Sequence, residues 1–283
     1  NKKFFLIKKD ICNIKKNDPV FKGVDYVFHF AGIGDIVPSI DNPTSYFETN
    51  VQGTVKVLEA CRYNKVKKFI YAASSSCYGL AKVPTKENHE ISPQYPYALS
   101  KYLGEKATLH WNQVYNLPVS SIRIFNAYGT RVRTTGAYGA VFGVFFKQKI
   151  DGLPFTVVGN GSQKRDFLYV TDVARAFLAV AMSKKNGEIY NLGAGHPQSI
   201  NKLVKLIGGP IIYIPKRPGE PDCTWANIAK ISKDTDWKPL ISFEKGVHLM
   251  MEELDKWKNA PLWTPKKIEK ATKNWFKFME NNS

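Results

Sequence analysis

The sequence is poor in the features that build metal centres, disulfide frameworks and membrane spans. Its four cysteines are widely separated and form no C-x-x-C pair, and neither they nor the five histidines have the short spacings of metal ligands. No apolar run reaches the roughly eighteen residues of a membrane-spanning helix. The run at residues 4–7 is also too short for a signal peptide. These absences predict a cytoplasmic protein with reduced thiols, no bound metal and no membrane association.

Acidic residues are scarce as well. Asp and Glu total 24 against 41 Lys and Arg, which gives a formal net charge of +17 over 283 residues. Such an excess is typical of nucleic-acid binding or of a lysine-rich surface around a site for anionic ligands. The lysines are scattered, and no basic stripe alternates with aromatic residues. We therefore favour the second interpretation and predict no nucleic-acid partner.

Apolar runs alternate with helical patterns through the first two thirds of the chain. The predicted elements are buried strands at residues 4–7, 26–30, 69–73 and 121–125, and helices at residues 44–63 and 95–115. This alternation is typical of an α/β fold with a Rossmann-like, doubly wound parallel sheet, in which ligands bind beyond the carboxyl ends of the strands. Ser74 and Asn126 both follow predicted strands, so we expect them at that edge.

From about Gly136 the pattern changes to shorter elements of mixed type. The predicted strands are at residues 155–158, 166–170, 188–192 and 211–214, and the helices at residues 140–150, from 171, 201–207, 227–234 and 243–258. We interpret residues 1–135 as a Rossmann-like domain to which the chain later returns, and residues 136–262 as a smaller mixed α/β lobe over the cleft.

Residues 263–283 are interpreted as a C-terminal amphipathic helix. Over residues 264–280, helical spacing places four apolar side chains on one face, namely Ile268, Ala271, Trp275 and Phe276. We expect this face to pack against the rest of the protein.

Tyr97 and Lys101 form a candidate catalytic pair. One helical turn separates them, so both side chains lie on one face of a predicted helix. An ammonium near a phenol stabilises the phenolate and brings this weak acid into working range. The pair is common by chance, but here it follows Ser74-Ser75-Ser76 at the end of an apolar strand. Together these residues predict the hydride-transfer site of a nicotinamide enzyme.

These residues belong to a longer series of ordered blocks. The blocks are HFAG at 29–32, NVQGT at 50–54, SSSCYG at 74–79, YALSK at 97–101, RIFNAYG at 123–129, RDFLYVTDV at 165–173 and RPGE at 217–220. The series resembles the extended short-chain dehydrogenase/reductase family over nearly the whole chain. Within that family it resembles the nucleotide-sugar epimerases of the UDP-glucose and UDP-N-acetylglucosamine 4-epimerase type.

The resemblance implies an NAD-dependent isomerase. Such an enzyme oxidises C4 of a nucleotide-bound hexose with tightly held NAD, rotates the 4-keto sugar and returns the hydride to its other face. The resemblance further implies that residues 1–135 bind NAD and that residues 136–262 mainly bind the nucleotide sugar. It also implies a homodimer formed through the Tyr97 helix and the long helix before it.

One feature of that family has no counterpart in the sequence. Family members begin with a glycine-rich G-x-x-G-x-x-G turn, where a helix N-terminus receives the cofactor pyrophosphate. Gly32-Ile33-Gly34 is the nearest glycine cluster, and it belongs to the later HFAG block. We therefore expect a Rossmann domain that starts after at least one βαβ unit. We also expect the chain as given to bind NAD weakly and to be unstable or inactive alone.

The resemblance assigns catalytic and cofactor roles. Tyr97 is the base that takes the sugar hydroxyl proton, Lys101 holds the ribose of NAD and lowers the pKa of Tyr97, and Ser74 bridges the sugar oxygen and the phenol. Tyr97 and Lys101 thus also contact the cofactor. The other implied cofactor residues are Asp10 and Ile11 at the adenine, Phe30, Ala31 and Gly32 in the cofactor loop, Asn50 bracing that loop, and Phe125 beside the nicotinamide.

The resemblance also assigns substrate contacts. Ser76 would bond to the sugar, Asn126, Arg165 and Arg217 would contact the diphosphate, and Glu220 would hold the uridine ribose. Thr224 stands where relatives restricted to glucose and galactose have a bulky tyrosine. Its small side chain predicts room for an N-acetyl group.

Two positions in the serine run bear on the reaction. Relatives that eliminate water carry carboxylates at the positions of Ser76 and often Ser75, because elimination needs an acid and a base beside the sugar. Hydroxyls at both positions favour epimerisation over dehydration or decarboxylation. A dehydratase, a decarboxylase, a 4-keto reductase and an inactive fragment stay open as alternatives, as do the nucleotide, the sugar and the choice between NAD and NADP.

Overall fold

The computed structural model describes residues 4–132 and 140–279. Its strands in chain order are β1 (Tyr26–His29), β2 (Lys68–Ser74), β3 (Val119–Ile124), β4 (Asn126–Tyr128), β5 (Phe155–Val158), β6 (Lys164–Arg165), β7 (Phe167–Tyr169), β8 (Glu188–Leu192), β9 (Gln198–Ser199) and β10 (Ile211–Ile214).

The helices follow the same order. They are α1 (Ile36–Asp41), α2 (Pro43–Phe47), α3 (Thr54–Tyr63), α4 (Pro96–Tyr115), α5 (Val141–Ile150), α6 (Val170–Met182), α7 (Ile200–Ile207), α8 (Ala229–Thr235), α9 (Phe243–Glu252) and α10 (Pro265–Met279). A π-helical segment spans Glu48–Gly53, and short 3-10 turns cover Ile11–Asn13, Pro19–Phe21, Ser75–Tyr78 and Leu254–Trp257.

A parallel sheet with the strand order β1-β2-β3-β8 forms the centre of the larger domain. All seven residues of β2 are buried, because helices cover both faces of the sheet. Leu58 of α3 packs with Phe69 on one face, and Phe177 of α6 packs with Ile70 on the other. The predicted α/β fold with a parallel sheet is therefore confirmed, and β8 returns to this sheet from the later part of the chain.

The smaller lobe contains three two-stranded pairings. β5 pairs with β10 and β4 with β7 in parallel, while β6 and β9 are antiparallel. Helices α5, α7, α9 and α10 surround an aromatic-rich core that includes Phe142, Phe145, Phe167 and Trp257. The predicted helix at the C-terminus is confirmed over Pro265–Met279, and its Ile268 and Trp275 are buried.

Three predicted elements differ from the structure, and one of them is the helix predicted at 243–258, which ends at Glu252 and is followed by a 3-10 turn at Leu254–Trp257. Residues 4–7 form no strand, and their side chains are 58 to 82% exposed. A strand needs a partner as well as apolar residues, and within the described residues no strand lies beside this run. The helix predicted at 44–63 is interrupted by the π-helical segment.

Some expectations fall outside the described part of the chain. The predicted domain boundary between residues 135 and 136 lies there, as does Glu280, the last residue of the helical pattern predicted at the C-terminus. In residues 4–132 and 140–279 we find no helix with the length and apolarity to cross a bilayer.

Candidate active site

Ser74 and Tyr97 meet at the carboxyl end of β2. Ser74 is the last residue of the strand, and its Oγ accepts a 3.2 Å hydrogen bond from the Ser76 backbone N–H. Tyr97 lies in the first turn of α4, which begins at Pro96, a residue well suited to a helix start. The Ser74 hydroxyl lies near enough to the Tyr97 phenol to lower the pKa of that phenol. Ser74 and Tyr97 therefore lie close together, and their catalytic roles stay predictions.

The surroundings of Tyr97 disfavour its ionised form. Burial raises the pKa of the phenol, the nearby Ser74 hydroxyl opposes this rise, and the carboxylate of Asp35 adds to it. This direction is opposite to the lowering that we predicted from Lys101. A cation bound beside the phenol would reverse it, because an opposite charge favours the phenolate.

Lys101 is buried one turn further along α4. Its Nζ lies 4.5 Å from the centroid of the Tyr71 ring, within reach of a cation–π interaction. Burial lowers the pKa of Lys101 to about 8, although the nearby Glu105 carboxylate acts in the opposite direction. The ammonium is therefore a buried cation that loses its proton more readily than a surface lysine.

Asn50 braces the loop that contains Gly32. Its Oδ1 accepts a 2.8 Å bond from the Ile33 N–H, and its Nδ2 donates to the Ile33 carbonyl at 3.1 Å and to Ser100 Oγ at 2.9 Å. A Cβ at Gly32 would lie 2.8 Å from Asn50 Oδ1 and 3.5 Å from Lys101 Nζ, so a larger residue would crowd both groups. The structure thus places an open backbone loop beside a buried cation, an arrangement that fits the ribose and nicotinamide of NAD.

The other predicted cofactor residues are spread more widely. Phe30 is 53% exposed and its ring packs against Phe177 at 4.4 Å, and Ala31 is also exposed. Asp10 Oδ1 accepts a 2.8 Å bond from the Cys12 N–H. The Ile11 side chain covers Gly53 of the π-helical segment. Contact between these residues and an adenine or nicotinamide stays a prediction.

A cavity of about 470 Å³ opens at the carboxyl end of the sheet, between the sheet and the smaller lobe. It brings together residues that the sequence places far apart. The predicted catalytic, cofactor and substrate residues along its wall are Ser74, Ser76, Tyr97, Phe125, Asn126, Arg165, Arg217, Glu220 and Thr224. These residues therefore line one cavity, and their roles stay predictions.

Two arginines and one carboxylate form the charged end of this cavity. Arg165 Nη2 donates to Glu220 Oε1 at 3.0 Å, and Arg217 Nε donates to Glu220 Oε2 at 2.9 Å. Burial by itself would raise the pKa of Glu220, but the two guanidinium groups outweigh it and hold that pKa below its ordinary value. The cluster thus keeps one net positive charge in a fixed geometry, as an anionic ligand requires.

Asp35, Tyr95 and Trp275 are among the cavity residues that sequence reasoning missed. Tyr95 stacks on Tyr97 with ring centroids 6.4 Å apart, and Trp275 packs on Tyr95 at 5.6 Å. Trp275 Nε1 also donates a 2.8 Å bond to the Pro218 carbonyl, in the loop that carries Arg217. We had predicted Trp275 only as part of an apolar helix face, although its indole N–H requires an acceptor when buried.

The chain is similar to a known protein family and to individual relatives. The model of the NAD dependent epimerase/dehydratase family matches residues 1–193. A putative UDP-glucose 4-epimerase of Methanocaldococcus jannaschii is 34% identical over 256 residues, which cover 87% of this chain and 83% of the relative. A protein of Bacillus subtilis described as an uncharacterized UDP-glucose epimerase is 32% identical over 255 residues, 87% of this chain and 79% of the relative.

Two solved structures share the fold. One is UDP-glucuronic acid 4-epimerase from Bacillus cereus in complex with UDP-glucuronic acid and NAD, with a TM-score of 0.84 at 29% identity, covering 90% of this chain and 83% of that one. The other is UDP-glucose 4-epimerase from Thermotoga maritima with UDP-glucose. Its TM-score is 0.83 at 30% identity, and the match covers 90% of this chain and 86% of that one.

Proposed function

The chain belongs to the NAD-dependent epimerase/dehydratase family, and within it we propose that the chain epimerises C4 of a UDP-bound neutral hexose or N-acetylhexosamine. The observation that carries this proposal is one cavity whose wall includes both Ser74 and Tyr97, which interact, and the arginines Arg165 and Arg217. Proton-transfer groups and diphosphate-binding groups thus line the same space.

The chain's own residues would divide the work. Tyr97 would take the proton of the C4 hydroxyl, and Ser74 would hydrogen-bond both this oxygen and the phenol. NAD, when bound, supplies the hydride acceptor and donor as well as the positive charge that favours the phenolate, and Lys101 and the Gly32 loop would hold it. Arg165 and Arg217 would keep the diphosphate in place while the sugar turns, so that binding energy is concentrated away from the reacting carbon.

The side chains near Tyr97 support this reaction over its alternatives. Ser75 and Ser76 line the cavity and offer hydroxyls where elimination needs carboxylates. Asp35 also faces this space and raises the pKa of Tyr97, so its negative charge disfavours a sugar that carries a carboxylate of its own.

The carboxylate of Asp35 favours a second candidate function, dehydration across C5 and C6 of the sugar, because Asp35 could serve as the acid or base that the serines lack.

One experiment separates the two candidates. Because we expect the chain as given to bind NAD weakly, it is first joined to the glycine-rich N-terminal segment of a relative. The completed protein is incubated with NAD and, in separate reactions, with UDP-glucose, UDP-N-acetylglucosamine and UDP-glucuronic acid, and products are followed by proton NMR. We expect the C4 epimers of the first two, the N-acetyl sugar being accepted because Thr224 is small. A 4-keto-6-deoxy product would support dehydration instead. Conversion of UDP-glucose alone would contradict the specificity assigned to Thr224, and no conversion of any sugar would contradict the proposal.

Helix α10 contributes to nucleotide binding in this proposal. We expect Trp275→Phe to raise the Kd for UDP roughly 5-fold, the effect of losing one hydrogen bond worth ~1 kcal/mol. The new ring still packs on Tyr95, but the loop carrying Arg217 and Glu220 loses its bond from Nε1 to Pro218. Isothermal titration measures the change. Phe278→Ala is the control, because Phe278 lies on the same helix and is 50% exposed. Equal affinities for UDP in the wild type and both variants would mean that α10 does not contribute to nucleotide binding.

A further inference from the structure

We propose that Thr224 is a positioning residue whose hydroxyl aims the amide group of Asn126 at the anionic part of the nucleotide sugar. This inference rests on the proposed function and deepens it. It also gives Thr224 a role beyond leaving room for an N-acetyl group. The observation behind it is a pair of hydrogen bonds that join three segments of the cavity wall.

The hydroxyl of Thr224 has a defined direction. Its Oγ1 accepts a 3.2 Å hydrogen bond from the Asp166 backbone N–H and donates a 2.7 Å bond to Asn126 Oδ1. A hydroxyl carries one proton. Because its oxygen already accepts from the backbone, that proton is available for Asn126 Oδ1.

This bond decides which end of the Asn126 amide a ligand meets. An asparagine amide can present either its oxygen or its NH₂ group, and the hydrogen-bond network selects between them. With Oδ1 bound to Thr224, the Nδ2 group is left for the cavity that Asn126 lines together with Arg165. Within residues 4–132 and 140–279, Nδ2 donates no hydrogen bond. A diphosphate needs a donor at this place, whereas the amide oxygen would repel it.

Further hydrogen bonds fix the backbone around Asp166, Thr224 and Asn126. Asp166 is fully buried, and its carboxylate accepts backbone N–H bonds from Ala194 and Ala226, both at 2.8 Å. The Thr224 backbone N–H donates to the Lys164 carbonyl at 3.1 Å, and the Asn126 N–H donates to the Asp166 carbonyl at 3.3 Å. Thr224 and Asn126 are therefore both tied to the β6–β7 segment, so their side-chain bond is preorganised before ligand binding.

Replacements of Thr224 distinguish positioning from simple lack of bulk. Thr224→Val keeps the shape of the side chain and removes the hydroxyl, while Thr224→Ser keeps the hydroxyl and is smaller. If only space mattered, neither change would weaken UDP binding. If the hydroxyl orients Asn126, valine should raise the Kd for UDP roughly 10-fold, equivalent to ~1.4 kcal/mol, and serine should recover most of the affinity, to within about threefold of the wild type.

A double-mutant cycle measured by isothermal titration with UDP completes the test. We expect Thr224→Val to have almost no further effect in an Asn126→Ala background, because the group it positions is gone. KM for the UDP-sugar should rise with the Kd, while kcat changes less. If Thr224→Val does not fold, Thr224→Ala takes its place, since it also lacks the hydroxyl.

Three results would overturn the inference. They are wild-type affinity in Thr224→Val, equal losses in the valine and serine variants, and an undiminished loss in the Asn126→Ala background. Failure of the proposed function is recognised separately, because the wild-type chain itself would then bind no UDP, and the inference would fall with it.

Discussion

Tyr97→Phe should lower kcat for the UDP-hexose by roughly 10²- to 10⁴-fold, the range attributed to a positioned proton-transfer group, while the Kd for UDP changes little. Phenylalanine keeps the ring between its aromatic neighbours Tyr46 and Tyr95. It removes only the hydroxyl that Ser74 contacts. A loss confined to kcat therefore identifies proton transfer as the step that requires this residue.

Tyr95→Phe is the matched control for this variant. Tyr95 stacks almost parallel to Tyr97, with an interplanar angle of 6°, and its hydroxyl interacts with Ser76 instead of Ser74. We expect its kcat to fall by at most about tenfold, the effect of one hydrogen bond at the cavity wall. If Tyr97→Phe kept more than a tenth of the wild-type kcat, another group would move the proton, and Asp35 would be the first to examine.

Local sequence patterns predicted several short strands closely. The strands β5, β8 and β10 match their predicted bounds residue for residue, because short runs rich in apolar residues between turn signals favour strands. Residues 4–7 have the same apolar composition but lie exposed, since pairing depends on a neighbour that no local pattern reveals.

The cavity residues also divide into those that contiguous sequence blocks predicted and those whose contacts depend on tertiary packing. Ser74, Tyr97 and Arg165 stand in contiguous blocks, so the resemblance located them before the structure did. The bond between Thr224 and Asn126 joins residues 98 positions apart. The contact of Trp275 with Pro218 joins residues 57 positions apart. Such contacts arise from tertiary packing between segments far apart in the chain, and periodicity within one segment carries no record of them.

Loss of the Glu105 side chain should strongly destabilise the fold. Its side chain and that of Arg123 are only 1% and 3% exposed, and Arg123 Nε lies 3.0 Å from Glu105 Oε2. Glu105 also accepts a 2.8 Å bond from Ser121 Oγ. Glu105→Ala leaves the guanidinium buried without its counter-charge, which costs about 3–5 kcal/mol. At roughly 2–4 °C per kcal/mol for a chain of this size, Tm should fall by about 6–20 °C.

A surface carboxylate provides the control for this prediction. Asp255 pairs with Lys258 and its side chain is 87% exposed, so Asp255→Asn should change the free energy of unfolding by less than ~0.5 kcal/mol. Thermal melts followed by circular dichroism compare the two variants. Equal Tm values for Glu105→Ala and Asp255→Asn would mean that the buried pair does not stabilise the fold.

The loss in Glu105→Ala has two possible sources, an uncompensated charge and a cavity, and two further variants separate them. Glu105→Gln keeps the volume and an acceptor for Ser121, so it should lose nearly as much stability as alanine if the charge dominates. Replacing Glu105 and Arg123 together by methionine removes both charges, and such replacements are often neutral for buried ion pairs. The double variant should therefore be more stable than Glu105→Gln.

The Glu105 carboxylate also raises the pKa of Lys101, one turn away on α4. Even if the double variant keeps its stability, Lys101 should lose its proton more readily, so the affinity for NAD at neutral pH should fall. Such a loss would link the buried pair to cofactor binding as well as to the fold.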